Sequence, residues 1–553
     1  MAIDPGLRRL ALRTLLAAFP GPTAPAWAAD LLLDGLAGHT LFGGNVVDPG
    51  QVADLTAQLR SARADVLIAI DEEGGDVTRL GHRTGSAYPG NAALGAAGNL
   101  DLTRLVYAAI GTDLAAAGIN LDLAPTVDVN TADDNPIIGT RSFGADPALV
   151  ARHTAAAVTG LQSSGVAACA KHFPGHGATV TDSHLELPTV DVPLSVLRTR
   201  DLPPFAAAVE AGVQAVMSAH IRVPQLTGDG PATFSRSALN GLLRDELGFR
   251  GAIVTDALEM RGAAGSAGSI PRAAVAALAA GADLLCIGAV VDLDLVEAIA
   301  TEIAAATGDG RLALSRLEDA ATRTAALADW SRPKTAPPAG THPPTSAAPG
   351  TQASAAADSR PFISAAADSR PSTSAAADSR PSTSAAADSR LSTSAAADQE
   401  PGPTTGHRPD FELGVEAARQ GMRFEGSDDR LRNPMVVRFV AGYSIAEGKV
   451  PWGLAPHLAT EELEVVAADT TVESITERAG DRPIVFVGRR LHNSPAARTL
   501  IEKLAADRPV GVVEMGWPSE WRPAGVDAFV ITHGASLANS RAAAEALGLA
   551  SRP

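Results

Sequence analysis

Five places in the chain put ionisable side chains directly after a short apolar run. DVLIAI (65–70) is followed by Asp71 and then EEGGDVTRL. INLDLAP (119–125) leads into TVDVNTADDNPIIGTRSFG. GVAACA ends in Lys171 and His172, VQAVMSA ends in His220, and GAIVT ends in Asp256. Charges at strand ends are costly to bury unless they meet each other or a ligand, so their recurrence points to a shared polar site. Asp256 is placed either to attack an electrophilic carbon or simply to cap the next helix. The segment KHFPGHGATVTDSH carries His172, His176 and His184 with Asp182. An Asp-x-His pair lets a carboxylate orient an imidazole and stabilise its cation, which suits general acid/base work near neutral pH. A zinc site built on His172 and His176 is disfavoured, because Pro174 and Gly175 forbid the regular helix that would align them.

The elements that must position these residues follow from the apolar runs. HTLFGG (39–44), the five runs above and ADLLCIG (282–288) alternate with helix-like segments. Continuous apolar strands separated by helices mean parallel strands covered on both faces. Seven or eight such units in about 330 residues fit a (β/α)8 barrel, whose function collects at the C-terminal strand ends. A doubly wound open sheet is the alternative that alternation leaves open.

From about Lys334 to Pro409 the composition changes to Pro, Ala, Ser and Thr. A ten-residue repeat, SAAADSRPST with variations, starts at Ser354, Ser364, Ser374, Ser384 and Ser394. Its consensus SAAADSRPST lacks large apolar side chains, and the segment is expected to be a disordered linker. Beyond it, MVVRFVAG (435–442), PIVFVGRRL (483–491), PVGVVEMG (509–516) and VDAFVITHG (526–534) read as strands of a second α/β domain, expected to be an open parallel sheet. The domains are therefore expected at 1–333, 334–409 and 410–553. No phosphate-loop or dinucleotide fingerprint occurs in the last of them.

KHFPGHG followed by DSH, with IDEEGGDVTRL before it, NPIIGTRSFG between and LLRDELGFRGAIVTDALEM after it, resembles the β-N-acetylhexosaminidases of glycoside hydrolase family 3. The resemblance covers about residues 10 to 330. It implies a retaining exo-β-N-acetylglucosaminidase with Asp256 as nucleophile and Asp182 and His184 as the acid/base dyad. It further implies sugar contacts from Asp71, Arg79, Arg141, Lys171 and His172, trimming of peptidoglycan fragments, and a first strand near LAAFPG. Two positions depart from many relatives, which carry Gln at Glu72 and Arg at Asp76. A phosphorylase forming a sugar 1-phosphate, a β-glucosidase of the same family and an inactive sugar-binding barrel are the competing readings.

The 553 residues carry 45 basic and 62 acidic side chains, a formal charge of −17. With no basic run there is no footprint for nucleic acid. Cys169 and Cys286 both sit in apolar runs and are expected to be buried free thiols, so neither a disulfide scaffold nor a multi-cysteine metal site is expected. No cofactor is expected, and the partner is a carbohydrate containing N-acetylglucosamine. The stretch RRLALRTLLAAFPGPTAPAWAAD has the outline of a weak secretory signal, but Arg13 interrupts its apolar run and no segment reaches the length of a membrane helix. A cytoplasmic monomer is expected, with secretion left open.

Overall fold

A computed structural model describes residues 4–181, 186–288, 291–332, 407, 409–458 and 461–550. Eight parallel strands form the first layer: β1 Leu15–Ala17, β2 Gly38–Leu41, β3 Leu67–Ile70, β4 Leu121–Asp122, β5 Ala167–Phe173, β6 Ala215–Ser218, β7 Ala252–Thr255 and β8 Leu285–Ile287. β1 to β7 pair in sequence order, and β1 also pairs with β8. A parallel bridge between Val254 and Leu284 brings the two remaining edges together. That closure excludes the doubly wound alternative. β1 lies inside the region that the resemblance, not the apolar pattern, assigned to a strand. Three residues between a helix and a Pro/Gly-rich loop are too few to show a run of their own.

Period-two alternation separates two cores. Leu67, Ala69, Ala167, Cys169, Ala252 and Val254 point inward and pack together over Leu327 and Trp330 at the barrel floor. Ile68, Ile70, Ala168, Ala170 and Ile253 point outward against the helices. Continuing the inward series by one pleat from β3, β5 and β7 reaches Asp71, Lys171 and Asp256. The interior therefore turns from apolar to ionic at the C-terminal mouth. Cys169 and Cys286 are buried free thiols.

The second sheet contains β9 Arg423–Gly426, β10 Met435–Phe439, β11 Glu462–Val465, β12 Ile484–Gly488, β13 Val510–Glu514 and β14 Ala528–Ile531. Their order is β11-β10-β12-β13-β14-β9. The expectation of a purely parallel sheet needs correction, because β9 runs antiparallel to β14. β9 and β11 also escape the apolar-run reading. Their sequences RFEG and ELEV are half exposed, as befits edge strands blunted by charge.

Met1–Lys334 and Thr405–Pro553 form one compact unit, and the decapeptide repeats, expected as a disordered linker, lie outside the described residues. The helix Phe411–Gly421 seats the second sheet's domain on the barrel. A Cβ on Gly414 would stand 1.9 Å from the Ala87 carbonyl oxygen, and one on Gly421 2.2 Å from that of Ala93. Only glycine permits this backbone approach. Among the described residues no helix is long and apolar enough to cross a membrane.

Candidate active site

At the C-terminal mouth of the barrel lies a cavity of about 450 Å³, within the range of small-molecule sites. Asp71, Arg79, Arg141, Lys171, His172 and Asp256 all line it. Asp182 and His184 lie outside the described residues. The four residues of the strand-end reading and the two arginines implied by the resemblance thus come from four strands and their loops to one place.

A buried ion cluster forms the cavity floor. Lys171 Nζ is 2.7 Å from both Asp71 Oδ1 and Glu73 Oε1. Arg141 holds Glu73 with two prongs, Nε to Oε2 at 3.0 Å and Nη2 to Oε1 at 2.7 Å, and donates Nη1 to the Ile137 carbonyl. Glu73 and Lys171 are each only 2% exposed. Burial alone would raise the Glu73 carboxyl, but Arg141 and Lys171 outweigh it and hold it well below the usual carboxylate range. Burial would lower the Lys171 ammonium, and Asp71 and Glu73 reverse that and push it up. Lys171 is therefore a fixed cation in the cavity lining.

His172 is oriented from behind. Its Nδ1 lies 2.7 Å from Asp128 Oδ2, and Asp128 Oδ1 also accepts the His176 backbone N–H at 2.6 Å. Burial opposes ionisation of Asp128, yet His172 and its hydrogen bonds hold the carboxyl below its ordinary value. Nδ1–H donating to Asp128 leaves Nε2 toward the cavity, 3.4 Å from Arg141 Nη2. His176, which also lines the cavity, is pushed down to about 4, first by burial and then by His172, so it is neutral at neutral pH. Asp256 caps its own turn, Oδ1 accepting from the Ala257 N–H at 2.8 Å. His220 lies behind it and bridges Thr233 and the Ala257 carbonyl.

Arg79 lines the cavity and is also held by the second domain. It lies 3.7 Å from Asp71, but its Nη1 and Nη2 donate to the carbonyls of Glu447 and Ala446 at 3.1 and 2.8 Å. The second domain's Ile445, Ala446 and Gly448 line the same cavity. Sequence reasoning missed these three, as well as Glu73, Asp128 and Glu259. Glu73 stood beside residues already singled out, and its ion-pair partners are 68 and 98 positions away. Among the described residues no group of three or more His, Cys, Asp or Glu side chains could hold a metal ion.

Glu72 faces away from this cluster. Its Oε2 accepts the Arg79 and Leu80 backbone N–H groups at 2.8 and 2.9 Å. Burial lifts its carboxyl to about 7, against the hydrogen bonds from Thr78, Leu80 and Arg79. A folded-state value above the unfolded one means stability that is full below about pH 4.5 and is lost as pH rises through about 7. Glu72→Gln, which keeps an acceptor but cannot ionise, is therefore expected to gain about 1–3 kcal/mol on the parent as pH rises from 5 to 8. Denaturation midpoints at the two pH values check this, and a gap that fails to widen contradicts it.

The model for the glycosyl hydrolase family 3 N-terminal domain matches residues 22–327. A β-hexosaminidase of Stenotrophomonas maltophilia (strain K279a) is 39% identical over 311 residues, covering 52% of this chain and 91% of that protein. For β-hexosaminidase A of Pseudoalteromonas piscicida, also 39% identical, the match spans 249 residues and only 42% of the relative's length. The solved structure of a glycoside hydrolase family 3 β-N-acetylglucosaminidase from Paenibacillus sp. str. FPU-7 superimposes with a TM-score of 0.78 at 29% identity, covering 100% of this chain and 98% of that one.

Proposed function

The chain belongs to glycoside hydrolase family 3, and on that premise we propose that it is a retaining exo-β-N-acetylglucosaminidase. The observation that carries the reading is the convergence of Asp256 with the Asp71–Lys171–Glu73–Arg141 cluster and His172 in one sugar-sized cavity. Its relatives with β-hexosaminidase and β-N-acetylglucosaminidase activity in their names support the choice of sugar.

In this reading Asp71, Arg79, Arg141, Lys171 and His172 contact the terminal sugar, all of them lining the cavity. The Asp256 carboxylate attacks the anomeric carbon, forming a covalent ester as the glycosidic C–O bond breaks. His184, oriented by Asp182, gives its proton to the departing oxygen. It then takes a proton from water, which attacks the same carbon, releases Asp256 and leaves the configuration retained.

We assign catalysis to a barrel domain at 1–333 and the cavity's outer wall to the domain at 410–553, joined by a linker at 334–409. The substrates are peptidoglycan fragments ending in β-linked N-acetylglucosamine, and the protein acts as a cytoplasmic monomer. Cleavage after the AWA of residues 26–28 would remove β1, which pairs on both sides within the barrel. Sedimentation of the purified protein tests the monomer.

The activity is tested by incubation with nitrophenyl β-N-acetylglucosaminide, with and without phosphate. Release of free N-acetylglucosamine in both samples is expected. Sugar 1-phosphate formed only with phosphate would replace the hydrolase by a phosphorylase on the same residues. Faster turnover of nitrophenyl glucoside would overturn the choice of sugar.

A further inference from the structure

The second domain reaches the cavity through one turn. The Glu447 N–H donates to Ser444 Oγ at 3.2 Å, and the Gly448 N–H to the Ser444 carbonyl at 3.0 Å. From this turn Ile445 projects to the cavity, 57% exposed. Val440 and Tyr443 beside it are also large, apolar and about half exposed. Lys171, Glu73 and Arg141, by contrast, are nearly inaccessible. Ile445 therefore sits at the rim, above the ionic floor. An exo-acting enzyme buries the terminal sugar and leaves the rest of its substrate at the rim.

The turn is fixed from behind by charges belonging to both domains. Arg489 Nη2 lies 3.0 Å from Glu447 Oε1 and 3.2 Å from Asp76 Oδ2. Asp76, from the barrel, also accepts the Thr140 hydroxyl at 2.5 Å and the Ala535 N–H of the second domain at 2.8 Å. Arg79 holds the Ala446 and Glu447 carbonyls from the barrel side. Carboxylate–guanidinium pairs that are largely shielded from water hold geometry more firmly than exposed ones.

The geometry points to Arg489 as a positioning residue and Ile445 as a specificity-determining one: the Asp76–Arg489–Glu447 relay holds the turn 444–448 so that Ile445 meets the leaving group of the substrate. This rests on the exo-β-N-acetylglucosaminidase reading for the identity of the leaving group, but not for the relay itself.

Four forms of the full chain separate the possibilities: the parent, Ile445→Ala, Arg489→Met and Arg489→Lys. With N,N′-diacetylchitobiose, KM is expected to rise about 5- to 10-fold in Ile445→Ala and Arg489→Met, with kcat within about threefold. Inhibition by N-acetylglucosamine, which fills only the deep part of the cavity, is expected to stay within about twofold. Arg489→Lys, which keeps a cation between the two carboxylates, is expected to restore most of the affinity. An unchanged KM in Ile445→Ala overturns the rim contact. Equal losses in inhibitor and disaccharide binding overturn it as well, because the effect would then lie in the sugar pocket.

Hydrogen exchange reads the relay without turnover. The amides of Glu447 and Gly448 are expected to exchange about tenfold faster in Arg489→Met than in the parent or Arg489→Lys. Unchanged exchange overturns the relay. A parent that turns over no N-acetylglucosaminide, yet shows the exchange change, rejects the activity and the rim contact together while the relay stands.

Discussion

Asp256→Asn is expected to lower kcat on nitrophenyl β-N-acetylglucosaminide by about 10⁴-fold, with KM changed far less. Loss of one member of a group that acts as a unit has this scale, about 5 kcal/mol of barrier. Asn keeps the size and the acceptor that receives the Ala257 N–H, so the loss reads chemistry and not folding. Truncation adds a sharper readout. In Asp256→Gly, added azide is expected to enter from the vacated side and give the α-glycosyl azide. The parent gives the β-configured sugar first. A parent whose first product is inverted, or an Asn variant with ordinary turnover, removes Asp256 from the role of nucleophile.

The second large effect concerns a residue that performs no bond-breaking step. Glu73→Gln is expected to destabilise the protein by about 3–5 kcal/mol, the range for removing one partner of a buried ion pair. The cause lies in what remains. Arg141 and Lys171, both buried, lose the carboxylate they share, and among the described residues Arg141 keeps the Ile137 carbonyl, the Thr126 hydroxyl and His172 Nε2 as partners. Lys171 retains Asp71 alone, so its ammonium is expected to fall from its raised value. Activity is expected to fall with stability, because the cation in the cavity lining is no longer held in place. Urea unfolding monitored by tryptophan fluorescence checks the first part. A midpoint unchanged from the parent would mean that water replaces Glu73 at no cost.

Much of this arrangement could be read before any coordinates. The barrel strands are bare apolar runs because both faces are covered, and their last residues carry charge because the mouth is where the apolar interior ends. Asp71, Lys171, His172 and Asp256 were legible on that ground alone. Arg79 and Arg141 came through family resemblance. The cluster's hub, Glu73, was not legible, because its importance comes from two cations remote in sequence. Asp128 was hidden among other acidic residues, and only its contact with His172 marks it out. Ile445 carries no chemical hint at all, since an isoleucine after a strand is ordinary until a second domain brings it to a cavity rim. The edge strands β9 and β11 were lost because exposure requires charge, which removes the apolar run that would announce them.

The inward alternation of β3, β5 and β7 has a consequence for how this gene can vary. The side chains of Leu67, Ala69 and Asp71 share one face only because an even number of residues separates them, and the same holds for Ala252, Val254 and Asp256. A single-codon insertion or deletion within such a strand exchanges the two faces. It would turn the carboxylate into the helix layer and drive Ile68 or Ile253 into the barrel interior. An insertion of the same size in the loops beyond the strand ends leaves every facing unchanged. Length variation in a library of this gene should therefore survive between the strands and the helices that follow them, and vanish over the few residues that lead up to each charge.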